Sequence, residues 1–146
     1  MQKSGFGVAV VVAAAFAAGF GVHALMSPAA VSAQAPRVFE IRTYTSPDTA
    51  KLQALHARFR NHTTRIFQKH GMTNVIYMSP QDAPLSQNTL TYVISHASRE
   101  QAVKNWAAFR ADPEWTKVAA ESNVNGNIVS KVESVFADAT DYSPLK

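Results

Sequence analysis

The stretch VFEIRTYTSPDTAKLQALHARFRNHTTRIFQKHGM, residues 38–72, decides the fold. Val38 to Tyr44 alternates and is rich in β-branched and aromatic residues, the pattern of a strand. Phe39, Ile41 and Thr43 face one way, and Val38, Glu40, Arg42 and Tyr44 the other. Ser46 is placed to cap a helix, Pro47 to occupy its first position, and Asp48 to sit at the positive end of its dipole. Leu52, Leu55, Phe59, His62 and Ile66 then recur at three- and four-residue steps. They predict one apolar stripe facing a sheet, with Arg58, Arg60, Asn61, Arg65 and Lys69 largely off it. His70-Gly71 reads as the stop, because glycine takes the left-handed conformation that ends a helix.

Working outward toward the C-terminus, TNVIYMS (residues 73–79) and TLTYVISH (residues 89–96) are two further strands. They are joined by the polar, two-proline loop PQDAPLSQN (residues 80–88), so they predict a hairpin. Ser98 to Gln101 is a capping box opening a second helix, with Ala102, Trp106 and Phe109 as its apolar stripe. Asp112-Pro113 interrupts that helix and caps a fresh one carrying Trp115, Val118 and Ala119. NVNGN (residues 123–127) ends the helical region, residues 128–136 contain the last strand, and residues 137–146 read as a tail. The order is β-α-β-β-α-β, an α+β ferredoxin-like pattern with one four-stranded antiparallel sheet and both helices on one face. The other face is expected to carry Val38, Tyr44 and aromatics from strands two and three. A mixed apolar and charged face left bare by a single helix layer predicts a homodimer.

Working toward the N-terminus, residues 1–33 have the plan of an export signal. Lys3 gives a short positive start, Val8 to Phe20 is an almost unbroken apolar run, and Ser27-Pro28 breaks the stretch. Val31-Ser32-Ala33 then supplies a peptidase site, so cleavage is expected after Ala33 and the protein is expected to be periplasmic or secreted. Cleavage after Ala35 would place Pro36 just beyond the bond and is disfavoured. The competing reading is an uncleaved membrane anchor, since the apolar stretch to Met26 runs for about 19 residues, close to a bilayer span. Its alanines and glycines and His23 weaken that alternative.

Composition bounds the rest. Residues 34–146 carry thirteen basic and ten acidic side chains, a net charge of about +3, with the basic residues scattered. That is too mild for a nucleic-acid surface. Absence of cysteine excludes disulfides, thiolate metal sites and a cysteine nucleophile. The histidines beyond the leader are His56, His62, His70 and His96. They form no H-x-x-x-H or H-E-x-x-H pattern, and no acidic cluster accompanies them, so neither a metal nor another cofactor is expected. G-x-S-x-G, S-x-x-K and glycine-rich phosphate loops are absent.

The segments VFEIRTYT (residues 38–45), FQKHGM (residues 67–72) and the run from Ser98 through AFRADPEW (residues 108–115) resemble the NIPSNAP family, in its small exported bacterial branch. The resemblance spans about residues 37–136. It implies a dimeric α/β-barrel in which two ferredoxin-like protomers pack sheet against sheet. Monooxygenases and haem-handling enzymes share that wider fold, but the family has no settled mechanism, so the resemblance carries fold further than function.

Three constellations are candidates for chemistry. His62, on the expected stripe between Phe59 and Ile66, is the one obvious catalytic base or haem ligand, against the plainer reading of a core histidine. Tyr77, Tyr92 and Trp106 are candidates to line a cleft for a small apolar, flat ligand. Glu40 and Arg42 on strand one, opposed by Lys131 and Glu133 on strand four, are expected to form a cross-strand charge ladder. The expected function is binding of a small apolar ligand or a protein partner. The alternative is a monooxygenase or haem-handling oxidoreductase using His62.

Overall fold

The computed structural model describes residues 37–145; the expected export segment lies outside the described residues. Strand β1 (Val38–Thr45) leads into helix α1 (Thr49–Arg58), a π turn (Phe59–Thr63) and helix α2 (Thr64–Lys69). Strands β2 (Thr73–Met78) and β3 (Thr89–His96) form the hairpin, with a 3₁₀ turn (Leu85–Gln87) in its loop. Helices α3 (Arg99–Ala111) and α4 (Pro113–Ser122) precede β4 (Lys131–Asp138). The strands pair antiparallel in the order β2-β3-β1-β4, the ferredoxin-like arrangement read from the sequence. No described helix is long and apolar enough to cross a membrane.

Local signals position most elements. Gly71 ends α2 with φ +75°, where an added Cβ would also meet Asn105 at 3.3 Å. Ser98 Oγ accepts from Gln101 N at 3.1 Å, as the capping box requires. Asp112 caps α4 by accepting from Glu114 N at 2.8 Å. Its other oxygen meets Lys69 Nζ at 2.7 Å and His70 Nε2 at 2.6 Å, which ties the end of α2 to the start of α4. Lys69 first, and then His70, hold this carboxyl well below the usual carboxylate range.

Four expectations need correction. The cap of α1 is Asp48, which accepts from Lys51 N at 2.8 Å. Ser46 is buried and donates instead to Ile128 O at 2.8 Å, pinning the chain before β4. The last strand is shifted, beginning at Lys131 and continuing through Asp138. The faces of β1 are the reverse of those expected: Glu40, Arg42 and Tyr44 lie under the helices, and Phe39, Ile41 and Thr43 lie on the open face. Tyr44 packs edge-on against Phe59 of the π turn, with ring centroids 6.0 Å apart. Alternation defines two sets of residues but not which set the helices cover, and here both sets contain apolar groups.

The charge ladder fails for the same reason of register. Arg42 pairs with Ser134, while Glu133 and Lys131 pair with Thr43 and Thr45. Lys131 and Glu133 therefore share the open face with each other, at 2.9 Å, and are one pleat out of phase with Glu40 and Arg42. The core lies between sheet and helices and includes Leu52, Leu55, Ile66, Phe67, Tyr92 and Ile94.

Candidate functional site

The sheet face under the helices is apolar except near β1, where Glu40 is buried at 1% exposure. An isolated carboxylate there would be costly, so it must be paired. Four donors reach it. Oε1 accepts from Arg42 Nη1 at 2.6 Å and Ser134 Oγ at 2.7 Å. Oε2 accepts from Trp106 Nε1 at 2.6 Å and lies 3.0 Å from His96 Nε2. Burial pushes the Glu40 pKa up, but the bonds from His96, Ser134, Trp106 and Arg42 outweigh it and bring it to about 2.

The proton on His96 follows from its neighbours. Gly71 O only accepts, so the Asn105 atom 3.1 Å from it is the amide nitrogen, and Asn105 Oδ1 accepts from Gln101 Nε2 at 2.7 Å. The same nitrogen lies 3.3 Å from His96 Nδ1, which therefore accepts, leaving Nε2–H to donate to Glu40. The chain from Gly71 through Asn105 and His96 to Glu40 joins the end of α2, helix α3, β3 and β1.

This base fixes a cleft at the seam of β1, β4 and α3, with a volume of about 310 Å³. Arg42 spans its floor, with the guanidinium carbon 4.4 Å from the Trp106 ring centre and 5.5 Å from that of Tyr44. Arg99 lies over Phe136 at 3.7 Å, and Arg110 and Val103 complete the rim. Three arginines against one glutamate, with an indole and a phenyl ring beside them, make a cationic cleft with flat apolar walls.

The sequence-derived site residues do not converge. Trp106 lines this cleft. Tyr92 is fully buried behind it and donates to the Tyr44 hydroxyl at 3.0 Å. Tyr77 stacks on Tyr92 with centroids 5.4 Å apart and donates to Asn74 Oδ1 at 2.6 Å. It opens onto a different, smaller hollow beside His56 and Arg60. Burial first, and Tyr44 second, push the Tyr77 phenol up. The space beneath the helices where one shared cleft was expected is filled by Phe59, Phe67 and Phe109.

His62 does not face the sheet. It is half-buried in a groove of about 300 Å³ between α1 and α4, beside Ala57, Arg58 and Val118. The cause is the π turn, whose extra residue rotates the stripe so that Thr63 takes the buried position and donates to Arg58 O at 3.2 Å. His62 therefore lies on the outer side of its helix, away from the filled interior. No cluster of three or more metal-ligating residues occurs among the described residues.

Sequence reasoning missed Glu40 as a saturated anchor and missed His96 and Asn105 altogether. One signal was available for His96, which continues the buried alternation Leu90, Tyr92, Ile94 at the end of β3.

Comparison with known proteins agrees with this architecture. The NIPSNAP family model matches residues 39–144. A NIPSNAP family protein of unknown function from Agrobacterium tumefaciens superposes with TM-score 0.65 at 19% identity, covering 77% of this chain and 96% of that one. A monooxygenase from Streptomyces coelicolor, solved with nanaomycin D, superposes with TM-score 0.54 at 12% identity, covering 76% and 94%. A dimeric ferredoxin-like protein from an uncultured marine organism also gives 0.54, at 10% identity, covering 76% and 94%. No curated protein matches by sequence. With the family match running from the first strand through the last, this chain belongs to the NIPSNAP family.

Proposed function

We propose that this is an exported, homodimeric ligand-binding protein, and that its cleft at Arg42 and Trp106 takes a small organic anion with a flat apolar body. The observation that carries this reading is the excess of cation in that cleft: Arg42, 4.4 Å over Trp106, is matched by Glu40, while Arg99 and Arg110 share the lining with no second carboxylate. A planar cation on an indole, with Phe136 alongside, suits a carboxylate joined to an aromatic ring. Dimerisation is supported by the open sheet face, where Ile41 (38% exposed), Ile76 (47%) and Val135 (61%) would be covered by a second sheet, and by the dimeric relative. Export is supported by the plan of residues 1–33.

The monooxygenase of like fold suggests an enzyme as the second reading. Geometry favours binding over proton transfer. Glu40 already accepts four bonds at a pKa of about 2, and both ring nitrogens of His96 are engaged. His62 lies in a separate groove.

The two tryptophan indole N–H peaks in an NMR spectrum provide the test. Titration with 2-naphthoate is expected to move the Trp106 peak, with 2-naphthamide at least tenfold weaker. Replacing the exposed Arg99 and Arg110 together by glutamine is expected to weaken naphthoate by about tenfold, roughly 1.4 kcal/mol. A Trp106 peak unmoved by either compound would end the ligand-binding reading. Oxygen uptake with an added quinol would restore the enzymatic one.

A further inference from the structure

The groove between α1, its π turn and α4 contains a second arginine stacked on a tryptophan, and this one is buried. Arg58 is 8% exposed, and its guanidinium carbon lies 5.1 Å from the Trp115 ring centre. Nη1 donates to Ser122 Oγ at 3.2 Å, and that hydroxyl passes its own hydrogen to Ala119 O at 3.1 Å. Nε is buried without a partner, as is that of Arg42, but unlike Arg42 this guanidinium pairs with no carboxylate among the described residues. Burial lowers the Arg58 pKa, outweighing the opposing pull of the Tyr44 and Tyr92 phenols. A buried charge without a counter-charge is a cost that an apolar side chain of the same length would avoid.

The surroundings form a receptacle. Arg58 lines the groove of about 300 Å³. Ala54 and Ala57 leave room on one side and Val118 gives an apolar wall on the other. The π turn, a distortion that recurs at functional sites, presents Asn61 and His62 to the same space. A single cation with a planar fork matches one carboxylate. Glu121 on the same lining disfavours a doubly charged phosphate.

We propose that this groove is a second binding site, for a small organic carboxylate. Arg58 is the group that receives the anion, Asn61 and His62 are its polar wall, and the two alanines with Val118 are its apolar seat. The site is distinct from the Arg42 cleft, with which it shares no lining residue.

The test titrates the full domain with acetate and benzoate at constant ionic strength set by chloride, with acetamide as the neutral control. The carboxylates are expected to move the Trp115 indole peak saturably, and acetamide is not. Arg58→Met, which keeps the stem that packs on Trp115, is expected to abolish that response. Should Arg58→Met fail to fold, Asn61→Asp on the exposed wall places a fixed carboxylate three residues from Arg58. It is expected to weaken acetate by about tenfold or more. The proposal is overturned if the Trp115 peak does not respond in the parent. It is equally overturned if only the Trp106 peak moves, or if either variant binds as the parent does.

Discussion

Two arginines stack on two tryptophans in this protein, Arg42 half-buried and Arg58 buried, and they are completed in different ways. Arg42 over Trp106 is neutralised by Glu40, which His96, Ser134 and Trp106 also satisfy. Arg58 over Trp115 has one neutral hydroxyl and no carboxylate; the Nε of each arginine is buried without a partner. The chemical pair is the same, but the chain gives the first guanidinium a carboxylate partner and the second none. The difference teaches that stacking does not set the role of a buried arginine. What matters is whether the chain supplies the counter-charge.

The comparison breaks most visibly at Glu40. Glu40→Gln replaces an acceptor of four bonds with a group whose amide must face two donors and leaves Arg42 uncompensated. Denaturant unfolding is expected to show a loss on the order of 3–5 kcal/mol. The pH dependence follows with its sign. The folded pKa of Glu40 lies at about 2, below the ordinary 4.5. Its contribution is therefore full above the unfolded value and is lost as pH falls through the folded one. A depression of that size corresponds to about 3 kcal/mol at neutral pH. Stability measured between pH 5 and 2 is expected to fall less steeply in Glu40→Gln than in the parent; parallel curves would contradict the assignment.

Trp106→Phe sharpens the same side of the comparison. It keeps most of the ring but removes the N–H that reaches Glu40 at 2.6 Å. The expected cost is about 1.5–3 kcal/mol, as for a hydrogen bond to a charged group. A loss below about 0.5 kcal/mol would mean that Glu40 is held without the indole.

The smallest effect is expected at Arg58. Without added carboxylate, Arg58→Met is expected to lie within about 1 kcal/mol of the parent, or above it, because the lost stacking is offset by relief of an uncompensated charge. A loss comparable with that at Glu40 would show that the two arginines are equivalent anchors and would remove the contrast between them.

How far the sequence could be read is clear from particular residues. The capping box at Ser98, the stop at Gly71 and the break at Asp112-Pro113 were legible because each depends on backbone groups within a few residues. That Trp106 lies on the inner stripe of α3 was legible, but not that it lines a cleft with Glu40 and Arg42 in place of Tyr77 and Tyr92. The phase of α1 beyond Phe59 was not, since one extra residue in the π turn moves His62 off the buried stripe and Thr63 onto it. Nor was the role of Ser46, whose partner Ile128 lies 82 residues away.

By itself, then, the sequence determined the order of elements and the ferredoxin-like sheet from short-range periodicity and turn chemistry, and the family from three short motifs in order. The tertiary structure alone decided which face of β1 the helices cover, that Glu40 is saturated, that His62 stands outside the core and that Arg58 lacks a carboxylate. Those outcomes depend on pairing register and on which distant side chains meet in a low-dielectric interior, and no local pattern along the chain encodes either.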